Sequence, residues 1–212
     1  MPTLLNPRAA YELWADTYQA SAHNPLMLAE EVVVERLLRS IRATVALDVG
    51  TGSGRYLPLL AATGASVVGV DLSMAMLRRA DSRARVCADA CHLPFRRGLF
   101  QLVNASLMVG DIADLGAWSA EMARVLATGG HLVYSDFHPV WSDNGWKRTF
   151  RDQTGQLRAV RFEPHTIEAH QAALAAAGLS VVAIREPRLT VGRRESPVLA
   201  IFHAVKDRGL TA

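Results

Sequence analysis

The 212-residue sequence has no apolar run long enough to span a bilayer. Its apolar segments at residues 44–49 and 199–205 are as short as buried strands usually are. The first residues also lack the basic segment followed by an apolar core that marks a secretory signal peptide. We therefore expect a cytoplasmic protein without a membrane span.

Cysteine and clustered positive charge are also scarce. Cys87 and Cys91 are the only cysteines and do not form a Cys-x-x-Cys pair, so we expect free thiols and no metal site. The formal net charge is +3, and the arginines occur as scattered pairs instead of one basic run. This distribution is typical of solvated surfaces and argues against a groove that binds nucleic acid.

The composition fits one globular domain over residues 1–212, because half of the residues are apolar and one fifth are charged. Residues 1–42 carry apolar residues at helical spacing on both sides of a break at Asn24 and Pro25. From residue 43 onwards the pattern changes to alternating strands and helices. This order predicts an N-terminal helical segment followed by a Rossmann-like core.

The predicted core is an α/β fold with a doubly wound, mostly parallel sheet of seven strands. Strands are expected at residues 44–49, 66–70, 85–87, 101–105, 131–135, 180–185 and 198–205, and helices at residues 26–40, 55–63, 73–82, 115–127 and 164–177. The last strand follows its predecessor after a short connection, which predicts an antiparallel edge. Residues 146–162 depart from the alternation and are predicted to form a β-hairpin inserted after the fifth strand.

A glycine-rich segment, ALDVGTGSG at residues 46–54, follows the first predicted strand. Parallel sheets bind ligands at the carboxyl ends of their strands, and glycines let the backbone approach a ligand closely. The dinucleotide pattern G-x-G-x-x-G is not met, because Arg55 stands where the third glycine belongs, and no lysine completes a Walker loop. Asp48 at the strand tip would repel a pyrophosphate but suits an ammonium or sulfonium group.

The second strand of the predicted sheet ends at Asp71. An acidic residue at this point can accept hydrogen bonds from both hydroxyls of a ribose. The loop, the acidic residue and their spacing together predict a site for an adenosyl cofactor that carries a positive charge.

Five segments carry a family resemblance that runs from about residue 11 to the C-terminus. They are LDVGTGSG at 47–54, VGVDLS followed by ML within 68–77, ADA followed by LPF within 88–95, FQLVNASL at 100–107, and EMARVL followed by GG within 121–130. On these segments the chain resembles class I S-adenosylmethionine-dependent methyltransferases, especially those similar to ubiquinone and menaquinone methyltransferases. The resemblance implies S-adenosylmethionine as cofactor and S-adenosylhomocysteine as product.

The resemblance also implies which residues bind the cofactor. Residues 1–42 would be a helical lid whose aromatic side chains close over the methionine end, while Asp89 would bond the adenine amino group and Ala90 would supply a backbone contact. The implied cofactor residues are Tyr11, Trp14, Tyr18, Asp48, Gly50, Thr51, Gly52, Gly54, Asp71, Leu72, Met76, Asp89, Ala90 and Ser106.

A catalytic base is needed when the methyl acceptor is a hydroxyl, a ring N–H or an acidic carbon. His138 is the first candidate, because it follows the fifth strand and histidine titrates nearest neutral pH. Asp111, after the fourth strand, and His23, between the two N-terminal helices, are the other two principal candidates. In similar methyltransferases a histidine often stands where this chain has Gly110 and Asp111.

The predicted function is transfer of a methyl group to oxygen, nitrogen or carbon of a small, aromatic or quinone-like acceptor. A nucleic-acid (RNA) methyltransferase is an alternative, although the segment after the fourth strand lacks the Asn/Asp-Pro-Pro motif of base amino methylation. A non-catalytic cofactor-binding protein is the other alternative. The hairpin at 146–162 could cap the acceptor pocket or form a homodimer contact, and the sequence leaves both open.

Overall fold

Seven strands form the central sheet of the computed structural model, which describes residues 2–143, 145–191 and 194–208. The strands of the chain are β1 (Thr3–Leu5), β2 (Val45–Val49), β3 (Ser66–Asp71), β4 (Arg85–Cys87), β5 (Phe100–Ser106), β6 (Leu126–Phe137), β7 (Thr149–Arg151), β8 (Leu157–Val160), β9 (Leu179–Arg185), β10 (Arg188–Val191), β11 (Arg194–Pro197) and β12 (Leu199–Lys206). The helices are α1 (Pro7–Trp14), α2 (Pro25–Arg39), α3 (Leu57–Ala61), α4 (Met74–Arg79), α5 (Leu115–Val125), α6 (Val140–Asp143) and α7 (Ile167–Ala176).

The strand order of the central sheet is β4-β3-β2-β5-β6-β12-β9. Strand β2 pairs in parallel with β3 on one side and with β5 on the other. The order in which successive strands are added to the sheet therefore reverses at β2. Strand β12 is antiparallel to both β6 and β9. The predicted fold class, a mostly parallel seven-stranded sheet with an antiparallel last strand, is confirmed. The reversal places a ligand-binding crevice at the carboxyl ends of β2 and β5.

Helices cover both faces of the sheet, and the side chains of β2 are buried on both faces. Leu47 and Val49 are fully buried with Trp118 of α5 in one core. Ala46, one residue away along the strand, is buried with Leu38 of α2 on the opposite face. Alternation of side chains along a strand has this effect. Both faces of β2 are therefore packed, and only its carboxyl end is left to meet a ligand.

Side-chain caps begin the two N-terminal helices. The Asn6 side chain accepts a hydrogen bond of 2.9 Å from Ala9 N–H, and the Asn24 side chain accepts one of 2.9 Å from Met27 N–H. Before α1, however, β1 is a strand that pairs in parallel with β8. The expectation of a wholly helical N-terminus is therefore wrong for residues 3–5, because pairing with the distant β8 determines their conformation.

The segment after α6 forms a hairpin in which β7 and β8 pair in antiparallel fashion. It docks on α1, where Phe150 and Val160 are buried with Ala10. The ring of Trp14 stacks on Phe150 at a centroid distance of 4.7 Å. This packing fixes the hairpin against the N-terminal helix.

Two local expectations differ from the structure. Helix α3 is only Leu57–Ala61, because the preceding loop continues to Tyr56 and Gly64 adopts φ +91° after the helix. The second difference is a polar hairpin of β10 and β11 between β9 and β12, where a short connection was expected. Across the described residues, no helix is long and apolar enough to cross a membrane.

Candidate active site

A cavity lies at the carboxyl ends of β2, β3 and β5. Its walls come from the β2–α3 loop, the ends of the neighbouring strands and the first residues of the N-terminal helical segment. Of the predicted cofactor residues, twelve line it: Tyr11, Tyr18, Asp48, Gly50, Thr51, Gly52, Asp71, Leu72, Met76, Asp89, Ala90 and Ser106. The structure thus brings residues from distant parts of the sequence to one site.

The glycines of the β2–α3 loop have different structural roles. Gly50 has φ +66°, and a Cβ atom there would lie 2.7 Å from the Cβ of Met108. Gly52 also has positive φ and lines the cavity. Gly54 does not line the cavity; its φ is +90°, and a Cβ atom would lie 2.9 Å from Leu57. Gly50 and Gly52 therefore give a ligand access to the backbone, whereas Gly54 allows close packing behind the loop.

Asp48 is a buried carboxylate at the tip of β2, with 2% of its surface exposed. Its two oxygens accept hydrogen bonds from the Thr51 hydroxyl at 2.6 Å and from the Asn104 side-chain amide at 2.7 Å. Burial raises the pKa of Asp48 to about 6, against the opposing effect of these bonds. The group is thus held rigidly and offers a negative charge to the cavity at neutral pH.

Asp71 at the end of β3 connects the two loops of the cavity. Its Oδ2 accepts a hydrogen bond of 2.8 Å from Gly52 N–H, and its Oδ1 accepts one of 2.8 Å from Ser73 N–H. Burial raises the pKa of Asp71 to about 6, although both backbone bonds lower it. Each carboxylate oxygen has a second acceptor site, so two ligand hydroxyls can still be bound.

Asp89 and Ser106 are two further polar residues that line the cavity. Asp89 Oδ1 accepts a hydrogen bond of 2.8 Å from Cys91 N–H, and the Asp89 side chain remains 54% exposed. The Ser106 hydroxyl donates a bond of 3.2 Å to Asn104 Oδ1. The exposed carboxylate of Asp89 is available to a donor on a ligand.

A second cavity adjoins the first. The two share Tyr11, Tyr18 and Leu107 as lining residues. Leu107 has φ +56°, which is rare for a residue other than glycine. Its N–H donates to the Ser135 hydroxyl at 2.9 Å, which helps to hold this conformation. Strained residues cluster at functional sites, and Leu107 lies between the two cavities.

A buried ion pair joins Asp111, which lines the first cavity, to Arg148, which lines the second. The Tyr11 hydroxyl also faces the Asp111 carboxylate. Burial raises the pKa of Asp111, and the interactions with Arg148 and Tyr11 oppose that rise. Burial raises the pKa of Tyr11 well above its ordinary value. These three side chains lie together where the cavities meet.

The remaining predicted residues lie elsewhere. His138 lines neither cavity; its Nε2 bonds Glu186 Oε1 at 2.9 Å. His23 lines the second cavity, where its Nδ1 lies 3.1 Å from the Ser21 carbonyl oxygen. Trp14 also lines the second cavity and not the first. Of the three predicted bases, the structure therefore brings only Asp111 and His23 to a cavity.

Sequence patterns do not single out two charged residues that the structure places here. Arg148 lies in the hairpin segment, and its partner Asp111 is 37 positions away. Glu30 of α2 is fully buried and accepts a bond of 2.6 Å from Arg55, the residue that replaces the third glycine. A charged residue on the apolar face of α2 is the only signal that could have identified Glu30.

A family model described as a methyltransferase domain matches residues 47–134, which include the glycine loop, Asp71 and Asp89. The demethylmenaquinone methyltransferase of Thermus thermophilus is 33% identical over 163 residues, covering 64% of this chain and 74% of its own. That of Corynebacterium urealyticum is 38% identical over 93 residues, covering 43% of this chain and 40% of its own. This chain spans about two fifths of the length of several of the demethylmenaquinone methyltransferases that it matches.

The chain belongs to the class I S-adenosylmethionine-dependent methyltransferases. Among solved structures, an S-adenosylmethionine-dependent methyltransferase from Mesorhizobium loti has a TM-score of 0.69 at 23% identity, covering 84% of this chain and 97% of its own. The geranyl diphosphate C-methyltransferase of Streptomyces coelicolor A3(2) has a TM-score of 0.63 at 17% identity, covering 85% of this chain and 80% of its own. At these identities the likeness concerns the methyltransferase fold alone.

Proposed function

We propose that the protein transfers the methyl group of S-adenosylmethionine to oxygen, nitrogen or carbon of a small aromatic or quinone-like acceptor. The observation that carries this proposal is the pair of adjoining cavities, which share Tyr11, Tyr18 and Leu107. One cavity has the polar groups that an adenosyl cofactor needs, and the other is rich in aromatic side chains. Two substrates that must meet at one atom require such an arrangement.

The first cavity fits the cofactor at both of its polar ends. Asp71 has acceptor sites left for the ribose hydroxyls, and Asp89 would accept from the adenine amino group. The buried Asp48 supplies negative charge to the cavity, which favours a cationic ligand. Gly50, crowded by Met108, leaves no room for a side chain. When bound, S-adenosylmethionine supplies an electrophilic methyl group.

The second cavity is our proposed acceptor pocket. Trp14, Phe137 and Trp146 line it, and flat apolar surfaces of this kind suit an aromatic ring. Trp146 and Thr149 belong to the hairpin segment. We therefore propose that the hairpin caps the acceptor pocket. The demethylmenaquinone methyltransferases among its relatives support a quinone-like acceptor.

Among the predicted bases, we propose Asp111 as the group that accepts a proton from the acceptor. Its carboxylate lies where the cavities meet, is paired with Arg148 and faces the Tyr11 hydroxyl. Burial raises its pKa, which increases its basicity. His23, at the outer part of the second cavity, is the second candidate. The lid residues Tyr11 and Tyr18 would exclude water from the methyl group.

The decisive experiment has two steps. First, titration calorimetry with S-adenosylhomocysteine is expected to show binding by the natural protein and by Asp81→Asn, an exposed control, but not by Asp71→Ala. Second, purified protein is incubated with methyl-labelled S-adenosylmethionine and a panel of phenols, hydroquinones and aromatic amines. Label transfer supports the proposal. Absence of S-adenosylhomocysteine binding would refute it, and binding without transfer to any panel member would favour a non-catalytic cofactor-binding protein.

A further inference from the structure

The charged side chains that line the second cavity are all basic. Its described lining residues include Lys147, Arg148 and the titratable His23. No aspartate or glutamate is among the described residues that line it. Lys147 is exposed at the rim, whereas Arg148 is buried. Arg148 is paired with Asp111, so an anionic ligand is favoured here through the donors that this pair leaves free.

The guanidinium of Arg148 retains a donor that nothing in the described structure satisfies. Only 8% of its side chain is exposed, and Nη2 donates to Asp111. Its Nε is buried and has no hydrogen-bond partner. Leaving a buried donor unpaired is costly, so such groups usually serve a ligand or an ordered water. A guanidinium has five N–H groups, and one carboxylate does not occupy them all.

Aromatic rings surround the same guanidinium. Its central carbon lies 5.6 Å from the centroid of the Tyr11 ring and 5.7 Å from that of Phe137. Trp146 packs against Phe137 at a centroid distance of 4.7 Å. The pocket thus combines a flat apolar wall with one buried cationic head. This combination is complementary to a planar ring that bears an acidic oxygen.

We propose that the methyl acceptor is a planar molecule with an anionic oxygen, a carboxylate or an ionised phenol or enol, which Arg148 binds through its free Nε–H. This inference rests on the proposed function, because it names the acceptor class of the same pocket. Arg148 is then a specificity-determining residue. Its pairing with Asp111 holds the anionic oxygen near the proposed base, and the proton that Asp111 takes comes from a different group of the acceptor.

The test compares ligands that match in shape and differ in charge. With S-adenosylhomocysteine present, dissociation constants are measured by tryptophan fluorescence for cinnamate against cinnamamide, and for para-nitrophenolate against para-nitroanisole. The natural protein is expected to prefer at least one anion by about 10-fold or more, as a charge-assisted hydrogen bond implies. The pair that shows the preference distinguishes a carboxylate from a phenolate.

Variants then assign the preference to Arg148. We expect Arg148→Gln to abolish it and Arg148→Lys to restore it in part. The control Arg151→Gln replaces an exposed arginine of the same hairpin that lines neither cavity, and it should change the preference by less than about threefold, because exposed charges are screened. Since Arg148→Gln leaves Asp111 without its partner, the double variant Asp111→Asn/Arg148→Gln is measured as well; it keeps neither charge and should also lack the preference.

The outcomes separate this inference from the proposed function. Equal affinity of the natural protein for both members of both ligand pairs, while S-adenosylhomocysteine still binds, would overturn the acceptor class and leave the methyltransferase proposal intact. Failure of S-adenosylhomocysteine to bind would overturn the proposed function itself. A preference that persists in the double variant would overturn the role of Arg148.

Discussion

Binding of S-adenosylhomocysteine is expected to weaken as the pH falls below about 6. Asp48 and Asp71 both line the cofactor cavity, and burial raises the pKa of each to about 6. The proposed complex needs both groups as carboxylates, so any bound proton must leave before the ligand binds. The ligand's own amino and carboxyl groups keep their charges across the range from about pH 5 to about pH 8.

The size of the effect follows from the pKa values. A carboxyl group with a pKa of about 6 is about nine-tenths protonated near pH 5 and almost fully ionised near pH 8. One group that must be ionised in the complex therefore raises the dissociation constant about 10-fold over this range, and two groups raise it about 100-fold. Each factor of ten corresponds to about 1.4 kcal/mol.

Titration calorimetry at about pH 5, 6, 7 and 8, in two buffers with different ionisation enthalpies, measures both the affinity and the number of protons released. The variant Asp71→Asn removes one of the two carboxyl groups. It should bind more weakly at pH 8 because it loses a charged acceptor, and its affinity should change less with pH. An affinity of the natural protein that is constant between about pH 5 and 8 would refute the reasoning.

The same shifts predict the opposite trend for the stability of the ligand-free protein. The pKa of each group is higher in the folded than in the unfolded chain, so the unfolded chain releases these protons first as the pH rises. As the pH rises from about 4 to about 6, these two groups therefore lower the free energy of unfolding, and this loss stays constant above that range. The two groups thus affect binding and stability in opposite directions, and the melting temperature measured at each pH checks that the protein remains folded.

Two further predictions concern the loop and its support. Gly50→Ala should weaken S-adenosylhomocysteine binding by more than about 10-fold, because its Cβ would lie 2.7 Å from Met108, whereas the control Gly64→Ala, with positive φ but nothing within 4 Å, should bind normally in the same calorimetric assay. Glu30→Gln should lower the melting temperature by about 6–12 °C, since breaking a buried ion pair costs about 3 kcal/mol, while Glu35→Gln in an exposed pair should lower it by less than about 2 °C. Equal effects of Gly50→Ala and Gly64→Ala would contradict the argument about the loop. Equal effects of Glu30→Gln and Glu35→Gln would contradict the argument about the buried ion pair.

The parts of the site that could be predicted from the sequence are those in which a short segment determines its own geometry. The glycine loop is one example, because Gly50 and Gly52 adopt backbone angles that other residues rarely adopt. Asp71 is another, since the strand pattern alone places it at a carboxyl end. The sheet itself followed from apolar strands alternating with helices.

The parts that could not be predicted depend on contacts between distant segments. His138 follows β6, as predicted, but successive side chains at the end of a strand point in opposite directions. Phe137 lines the proposed acceptor pocket, and the next side chain, His138, reaches Glu186 instead. Arg148 meets Asp111 only because the hairpin docks on α1. No local pattern determines such a docking.

The buried Glu30 links the residue that follows the glycine loop to other parts of the site. Glu30 of α2 accepts a hydrogen bond of 2.6 Å from Arg55 Nη2, and Glu31 lies 3.6 Å from Arg55 Nη1. The other oxygen of Glu30 accepts from Ser135, whose hydroxyl in turn accepts from the strained Leu107. One carboxylate on α2 thus connects the glycine loop to the wall between the cavities. Since a buried charge network adopts few arrangements, this connection should fix the relative positions of the proposed cofactor and acceptor pockets.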